Sequence, residues 1–279
     1  MSDSLEVKSE LYDEDEFCNR SSPHHSNTIF FLQFFQTHEN IDFSIKSDGD
    51  EDVIVPRRKY QTIDIECSPS TSLSLVGLQL WRGAFVLADF ILSNHVDFSS
   101  KTVLEVGSGV GFTSIVASMF AKEVICTDIA DEGLLDMIKR NIKRNESIIK
   151  ADVSVLPLDF YSDHYSEELT KKLENVDIIL AADVIYDNDL TEAFVKTLIK
   201  LLNTPKKKKF YIALEKRYVF TLADMDTVAP CYEHFLSIFL KASRRSPMCA
   251  WRVKEMNIDF EQRFKYERSK HLVMWEILT

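Results

Sequence analysis

The chain has 279 residues, 45% of them hydrophobic, enough for one α/β domain with an extension and a full core. Its net charge of −11 is lopsided: the first 52 residues carry 13 acids against Lys8, Arg20 and Lys46, leaving −1 for the remainder. A neutral domain behind an acidic leader lacks the basic stripe that nucleic-acid phosphates need, so direct nucleic-acid binding is not expected, whereas a basic protein partner suits the leader.

No apolar run is expected to reach membrane-spanning length, and the polar, acidic start does not read as a secretory signal. Five scattered cysteines (Cys18, Cys67, Cys126, Cys231, Cys249) form no Cys-x-x-Cys pair. Reduced thiols in a nuclear or cytoplasmic protein are expected, with no metal site.

In chain order, residues 1–27 read as a disordered acidic tail. Residues 28–74 read as a small N-terminal β extension with strands at 28–35, 53–55 and 62–67. Residues 75–279 form the main domain. It opens with a helix over 78–93, whose stripe is Leu78, Trp81, Phe85, Ala88 and Leu92. A short buried strand at Thr102–Val106 leads into a glycine turn and a helix over 113–121. Strands at 124–127, 153–156, 178–181 and 210–214 alternate with helices over 134–145, near 166–173 and over 190–202. The lysines at 206–209 read as a solvated turn, with a nuclear address as the alternative. A long helix falls within 222–242, and strands at 251–256 and 271–278 end the chain. This alternation predicts a doubly wound, Rossmann-like, mostly parallel sheet with helices on both faces. The last two strands have no crossover helix between them and predict an antiparallel hairpin at one edge.

The strongest chemical signal is Glu105-Val106-Gly107-Ser108-Gly109-Val110-Gly111, where a strand stops, glycines alternate and a helix begins. Such a turn holds a nucleotide-like ligand. Asp128 ends the next strand, beside the turn, where a carboxylate accepts from ribose hydroxyls. A dinucleotide site wants a glycine at the position held by Phe112, and Glu105 suits a cationic sulfonium better than a pyrophosphate. S-adenosyl-L-methionine is therefore the expected cofactor. Asp159 and Phe160 follow the third strand, placed to meet adenine. Ala182-Asp183-Val184-Ile185-Tyr186 ends the fourth, with a carboxylate and a phenol to position an amine; a helix cap is the competing role for Asp183. Trp81 and Phe160 have core packing as their competing role.

Together these residues resemble the methyltransferase-like family 16 of seven-strand protein lysine methyltransferases, a class I fold, over about 75–279. The matching marks are Leu80-Trp81, the glycine turn, Asp128, Leu158-Asp159-Phe160 and Asp183-Val184-Ile185-Tyr186, the last resembling the family's Asp-x-x-Tyr. Phe160 departs from the tryptophan common there. The resemblance implies that Trp81, Gly107, Ser108, Gly109, Asp128, Phe160 and Ala182 contact the cofactor, and that Asp183 and Tyr186 orient a lysine; the turn and the third strand add Glu105, Gly111 and Asp159 to the expected cofactor site. Ala213-Leu214-Glu215-Lys216-Arg217 and Phe220-Thr221-Leu222 are similar to one branch, which implies a nucleic-acid-associated protein as substrate and residence in nucleus or cytoplasm. A monomer is expected, since no heptad seam is visible. Alternatives are a methyltransferase acting on a small molecule or nucleic acid, and an interaction module that holds the cofactor without turnover.

Overall fold

The structure, a computed structural model, describes residues 6–14, 27–35, 60–131, 133–221, 226–245 and 251–279. The expected strand at 53–55, Cys18 and Cys249 lie outside them. Within residues 6–14, β1 (Glu6–Val7) is followed by a 3-10 turn over Glu10–Asp13. This segment was expected in a disordered tail, but Leu11 and Tyr12 are buried and Tyr12 stacks on Phe30 at 5.2 Å. Two apolar side chains anchor a stretch whose composition is otherwise that of a solvated leader.

β2 (Thr28–Phe35) pairs antiparallel with β3 (Tyr60–Cys67). β2 alternates with period two, Phe30, Leu32 and Phe34 inward and Phe31 and Gln33 outward, as a strand with one buried face requires. β4 (Thr71–Ser72) pairs with β1, and a 3-10 stretch, Leu73–Leu78, leads to α1 (Arg82–Ser93). The helix thus starts four residues later than its apolar spacing suggests. The stretch Leu73–Ser93 is 21 residues long with mean hydropathy 1.5, more apolar over that length than expected, but it is broken before α1 and 67% buried inside the fold. It is core.

After α2 (His95–Phe98), the main sheet begins. β5 (Thr102–Val106), α3 (Phe112–Ser118), β6 (Glu123–Asp128), α4 (Leu134–Arg144) and β7 (Asp152–Pro157) build one half. α5 (Glu167–Leu173), β8 (Ile178–Ala182), α6 (Asn188–Leu202) and β9 (Lys209–Glu215) build the other. A short hairpin, β10 (Val219–Thr221) with β11 (Asp226–Val228), precedes the expected long helix, α7, which starts at Pro230 and runs to Arg245. Proline at a first helical position was the available signal. β12 (Arg252–Met256) and β13 (Leu272–Leu278) complete a seven-stranded sheet of order β12-β13-β9-β8-β5-β6-β7. β13 is antiparallel to β9 and β12, and the others are parallel.

All five residues of β5 are buried. Val103 belongs to the core under α1 and α3, with Phe85 and Phe112. Leu104 belongs to the opposite core, with Phe194, Phe210 and Phe235. Strand order reverses at β5 and β8, which opens a crevice at their carboxyl ends.

The β2–β3 hairpin is held through α4. Asn141 is fully buried; its side chain accepts from Glu66 N–H (2.8 Å) and donates to the carbonyls of Glu66 and Val110 (both 2.9 Å). One turn on, Asn145 repeats the exchange with Asp64, at 3.0 and 2.9 Å. The Glu66 carboxylate meets Arg140 and Arg144, both at 2.8 Å, and these cations hold its pKa down at about 2. Asn141→Leu leaves three backbone groups unpaired, and it is expected to destabilise the chain by about 2–4 kcal/mol in urea denaturation.

Candidate functional site

A cavity of about 920 Å³ occupies the crevice, walled by residues 73–81, the glycine turn, and the loops after β6, β7 and β8. The sequence-predicted Trp81, Glu105, Gly107, Ser108, Gly109, Asp128, Asp159, Phe160, Ala182, Asp183 and Tyr186 all line it. Gly111 does not: a Cβ there would face Ile138 of α4, so this glycine serves the turn into α3.

The turn is shaped by close approach. Gly107 has φ +65°, and a Cβ on it would stand 2.6 Å from Val184 Cγ1. Gly109 has φ +54°, and a Cβ would lie 2.9 Å from the Gly77 carbonyl. Three of the turn's N–H groups are committed within the protein. Ser108 N–H donates to Thr127 O (3.0 Å), Gly109 N–H to Asp128 Oδ2 (2.7 Å) and Gly111 N–H to Ser108 O (2.9 Å). A pyrophosphate would need those donors.

Asp128 Oδ1 also accepts from Ile129 N–H at 2.7 Å, yet burial pushes its pKa up to about 6. Glu105 is buried and accepts from Ser114 Oγ, and burial pushes it up to about 8. Asp183 sits just past β8 with φ +51°, a conformation rare for a residue with a side chain. Its Oδ2 accepts from Gly83 N–H at 2.6 Å, and its Oδ1 from Glu215 N–H at 2.9 Å. Burial raises its pKa against the opposing charge of Arg217. It does not cap the following helix; Asp187 does, accepting from Leu190 N–H at 2.9 Å. Burial pushes Tyr186 up to about 12, so its phenol keeps its proton at neutral pH.

At the far end, Phe160 packs edge-on against Phe194 (5.3 Å) and its ring passes near Gly107. Asp159 accepts from Tyr161 N–H at 2.9 Å. Trp81 donates its indole N–H to Val76 O (2.9 Å), and its ring lies under Arg217. Sequence reasoning missed Gly83, Asp131 and Gly77. A glycine in the first turn of α1 was the readable sign for Gly83, since a Cβ there would meet Asp183 Oδ2 at 2.5 Å.

Six carboxylates (Glu105, Asp128, Asp131, Asp159, Asp183 and Asp187) line the cavity, with no lysine or arginine among the described lining residues. This lining suits a cation. A family model described as lysine methyltransferase matches residues 59–228. The chain belongs to that family. Methyltransferase-like protein 22 of Mus musculus is 34% identical over 251 residues, covering 82% of this chain and 64% of that protein. Its Homo sapiens counterpart is 34% identical over 236 residues, covering 79% and 58%. Protein-lysine methyltransferase METTL21E of Mus musculus is 31% identical over 123 residues, covering 43% and 50%. The chain thus spans less than two thirds of the length of these relatives. The cofactor of this family is S-adenosylmethionine, and the site fits it: an anionic, partly apolar cavity, a glycine turn with three of its N–H donors already taken, and a crevice at the strand ends.

Two predictions follow from the geometry. Gly109→Ala forces a Cβ against the Gly77 carbonyl at positive φ, a strain of about 1–3 kcal/mol. Affinity for S-adenosylmethionine is expected to fall about tenfold or more in calorimetry of the folded variant. Glu105 titrates near the ordinary 4.5 when unfolded and about 8 when folded. Its protonated form therefore favours the fold, fully below pH 4.5, and this contribution is lost as pH rises to about 8. Glu105→Gln is expected to raise the melting temperature at pH 8. In the wild type, a sulfonium favours the charged carboxylate, so its binding should release a proton near pH 7.5. Identical buffer dependence of the binding heats for S-adenosylmethionine and for S-adenosylhomocysteine, which lacks the sulfonium charge, would disprove this coupling.

Proposed function

We propose that this chain transfers methyl groups from S-adenosylmethionine to a lysine side chain of a protein substrate. The carrying observation is the cavity with six carboxylates and no cation among its described lining residues, in a chain of the lysine methyltransferase family. In this reading Asp128 accepts from the ribose hydroxyls, Phe160 and Asp159 meet the adenine, and Glu105, Gly107, Ser108, Gly109, Trp81 and Ala182 surround the rest. The bound cofactor supplies an electrophilic methyl carbon.

A lysine nitrogen held in line with that carbon would take the methyl group, the sulfonium leaving as a neutral thioether, and the amine proton would pass to water. Losing that proton at pH 7 costs about 4.6 kcal/mol from a reference pKa of 10.4. Asp183 is committed to two backbone N–H groups, so it aligns the amine and holds the walls on either side of it. Tyr186 keeps its proton and offers a hydroxyl to the incoming nitrogen. Alignment and fixed charge supply the catalysis.

The substrate in this reading is a basic, nucleic-acid-associated protein of the nucleus or cytoplasm, met by a monomer. The exposed carboxylate of Asp187, next to Tyr186 on the cavity lining, supports a lysine flanked by basic residues.

Incubation with radiolabelled S-adenosylmethionine and a cell extract tests the reading. A labelled protein band is expected, absent with Asp183→Ala and weakened about tenfold or more with Tyr186→Phe, whose cofactor affinity should stay near wild type. Label appearing only in small molecules or nucleic acid would refute a protein substrate.

A further inference from the structure

Residues 79–83, of which 79–81 wall the reactive end of the cavity, are pinned one residue at a time. Gln79 accepts from Ser9 N–H at 2.8 Å and donates back to the Val7 carbonyl at 2.9 Å. Leu80 N–H donates to the Tyr12 hydroxyl at 2.9 Å. Trp81 lies beneath the Arg217 guanidinium, 4.6 Å from its ring centroid, and that cation pairs with Glu10 at 3.1 Å. Arg82 Nε donates to Glu14 at 2.8 Å, while its Nη1 meets Glu215 at 3.1 Å. Gly83 donates to Asp183. Four consecutive residues are thus held, directly or through Arg217, by residues 7–14, and the fifth by the carboxylate assigned to the substrate lysine.

The arm that does this lies outside residues 59–228, the stretch the family model matches. Its contacts are specific: Tyr12 is buried, and Arg82 and Glu14 are only 11% and 14% exposed at their side chains. Arg82 and Arg217 are the two cations that these contacts bring to this end. Arg217 acts on Asp183 through its charge, and Arg82 is bonded to Glu215, whose N–H also binds Asp183. Left uncompensated, Arg217 would oppose a sulfonium, while Arg82 already meets Glu215 at 3.1 Å and Glu267 at 3.4 Å and gains Glu14 as a further partner. The arm supplies one carboxylate to each.

We propose that the amino-terminal arm, residues 6–14, is a positioning element of the methyl-transfer site. It fixes Leu80 through Tyr12 and Trp81 through Glu10 and Arg217, and it adds the carboxylates of Glu10 and Glu14 to the charge balance of Arg217 and Arg82. This rests on the reading of the cavity as an S-adenosylmethionine site.

Calorimetry on the full chain tests it, with S-adenosylmethionine and S-adenosylhomocysteine, which lacks the sulfonium charge, as the two probes. Tyr12→Phe removes the acceptor for Leu80 without altering charge, and should weaken both ligands alike, about threefold to tenfold. The double variant Glu10→Gln/Glu14→Gln keeps side-chain shape and should weaken S-adenosylmethionine about tenfold but S-adenosylhomocysteine no more than about twofold. A purely structural brace would not split the two ligands. Raising the salt should narrow the split. Lys8→Ala, whose partner is the exposed Asp13, should leave both affinities unchanged. Wild-type affinities in both arm variants, or an equal loss of the two ligands in the double variant, would overturn the proposal. Should one variant fail to fold, the other decides. A wild-type chain that binds neither ligand would instead overturn the reading of the cavity itself.

Discussion

Two carboxylates stand just at the carboxyl ends of parallel strands and are held there by backbone N–H groups. Asp128, ending β6, takes Gly109 and Ile129; Asp183, just past β8, takes Gly83 and Glu215. The bonds to Gly109 and Gly83 tie the sheet to two different walls of the crevice, so the sheet dictates where the glycine turn and the start of α1 stand. The same bonds aim negative charge inward before any ligand arrives. Such preorganised charge costs no rearrangement during the reaction.

That arrangement carries a cost in the ligand-free chain. Glu105, Asp128 and Asp183 all have pKa values raised by burial, so their charged forms work against folding until a cation shares the space. The protein offsets this elsewhere, in the two continuous cores on either face of the sheet and in the side-chain ties from α4 to β3. Affinity for a cationic ligand and stability without it are therefore set by the same three groups, in opposite directions.

Much of the sheet was legible because its strands are short, apolar and separated by periodic helices. The bounds of β5 and the edge hairpin of β12 and β13 follow from pattern alone. Where local pattern misled, distant partners were the reason. The apolar spacing at Leu78 and Trp81 suggests helix, but the N–H of Leu80 is claimed by Tyr12, 68 residues away in sequence, and α1 waits until Arg82. Acidic composition concealed Leu11 and Tyr12, because burial of two side chains scarcely alters an average. The crevice residues were readable as types at strand ends. What was not readable was the use of Asp183 as a tether, which depends on Gly83 lying 100 residues earlier.

The paired asparagines of α4 bear on association with other chains. A lone hairpin beside a larger sheet ordinarily leaves one row of backbone donors and acceptors available to a strand from elsewhere. Here Asn141 and Asn145, one helical turn apart, meet alternate residues of β3 with the donor and acceptor a neighbouring strand would have presented. The helix imitates a strand. At Asp64 and Glu66 that row is thereby closed to edge-to-edge polymerisation, and because the closure comes from side chains, the hairpin joins the domain without imposing its own twist or register on the central sheet.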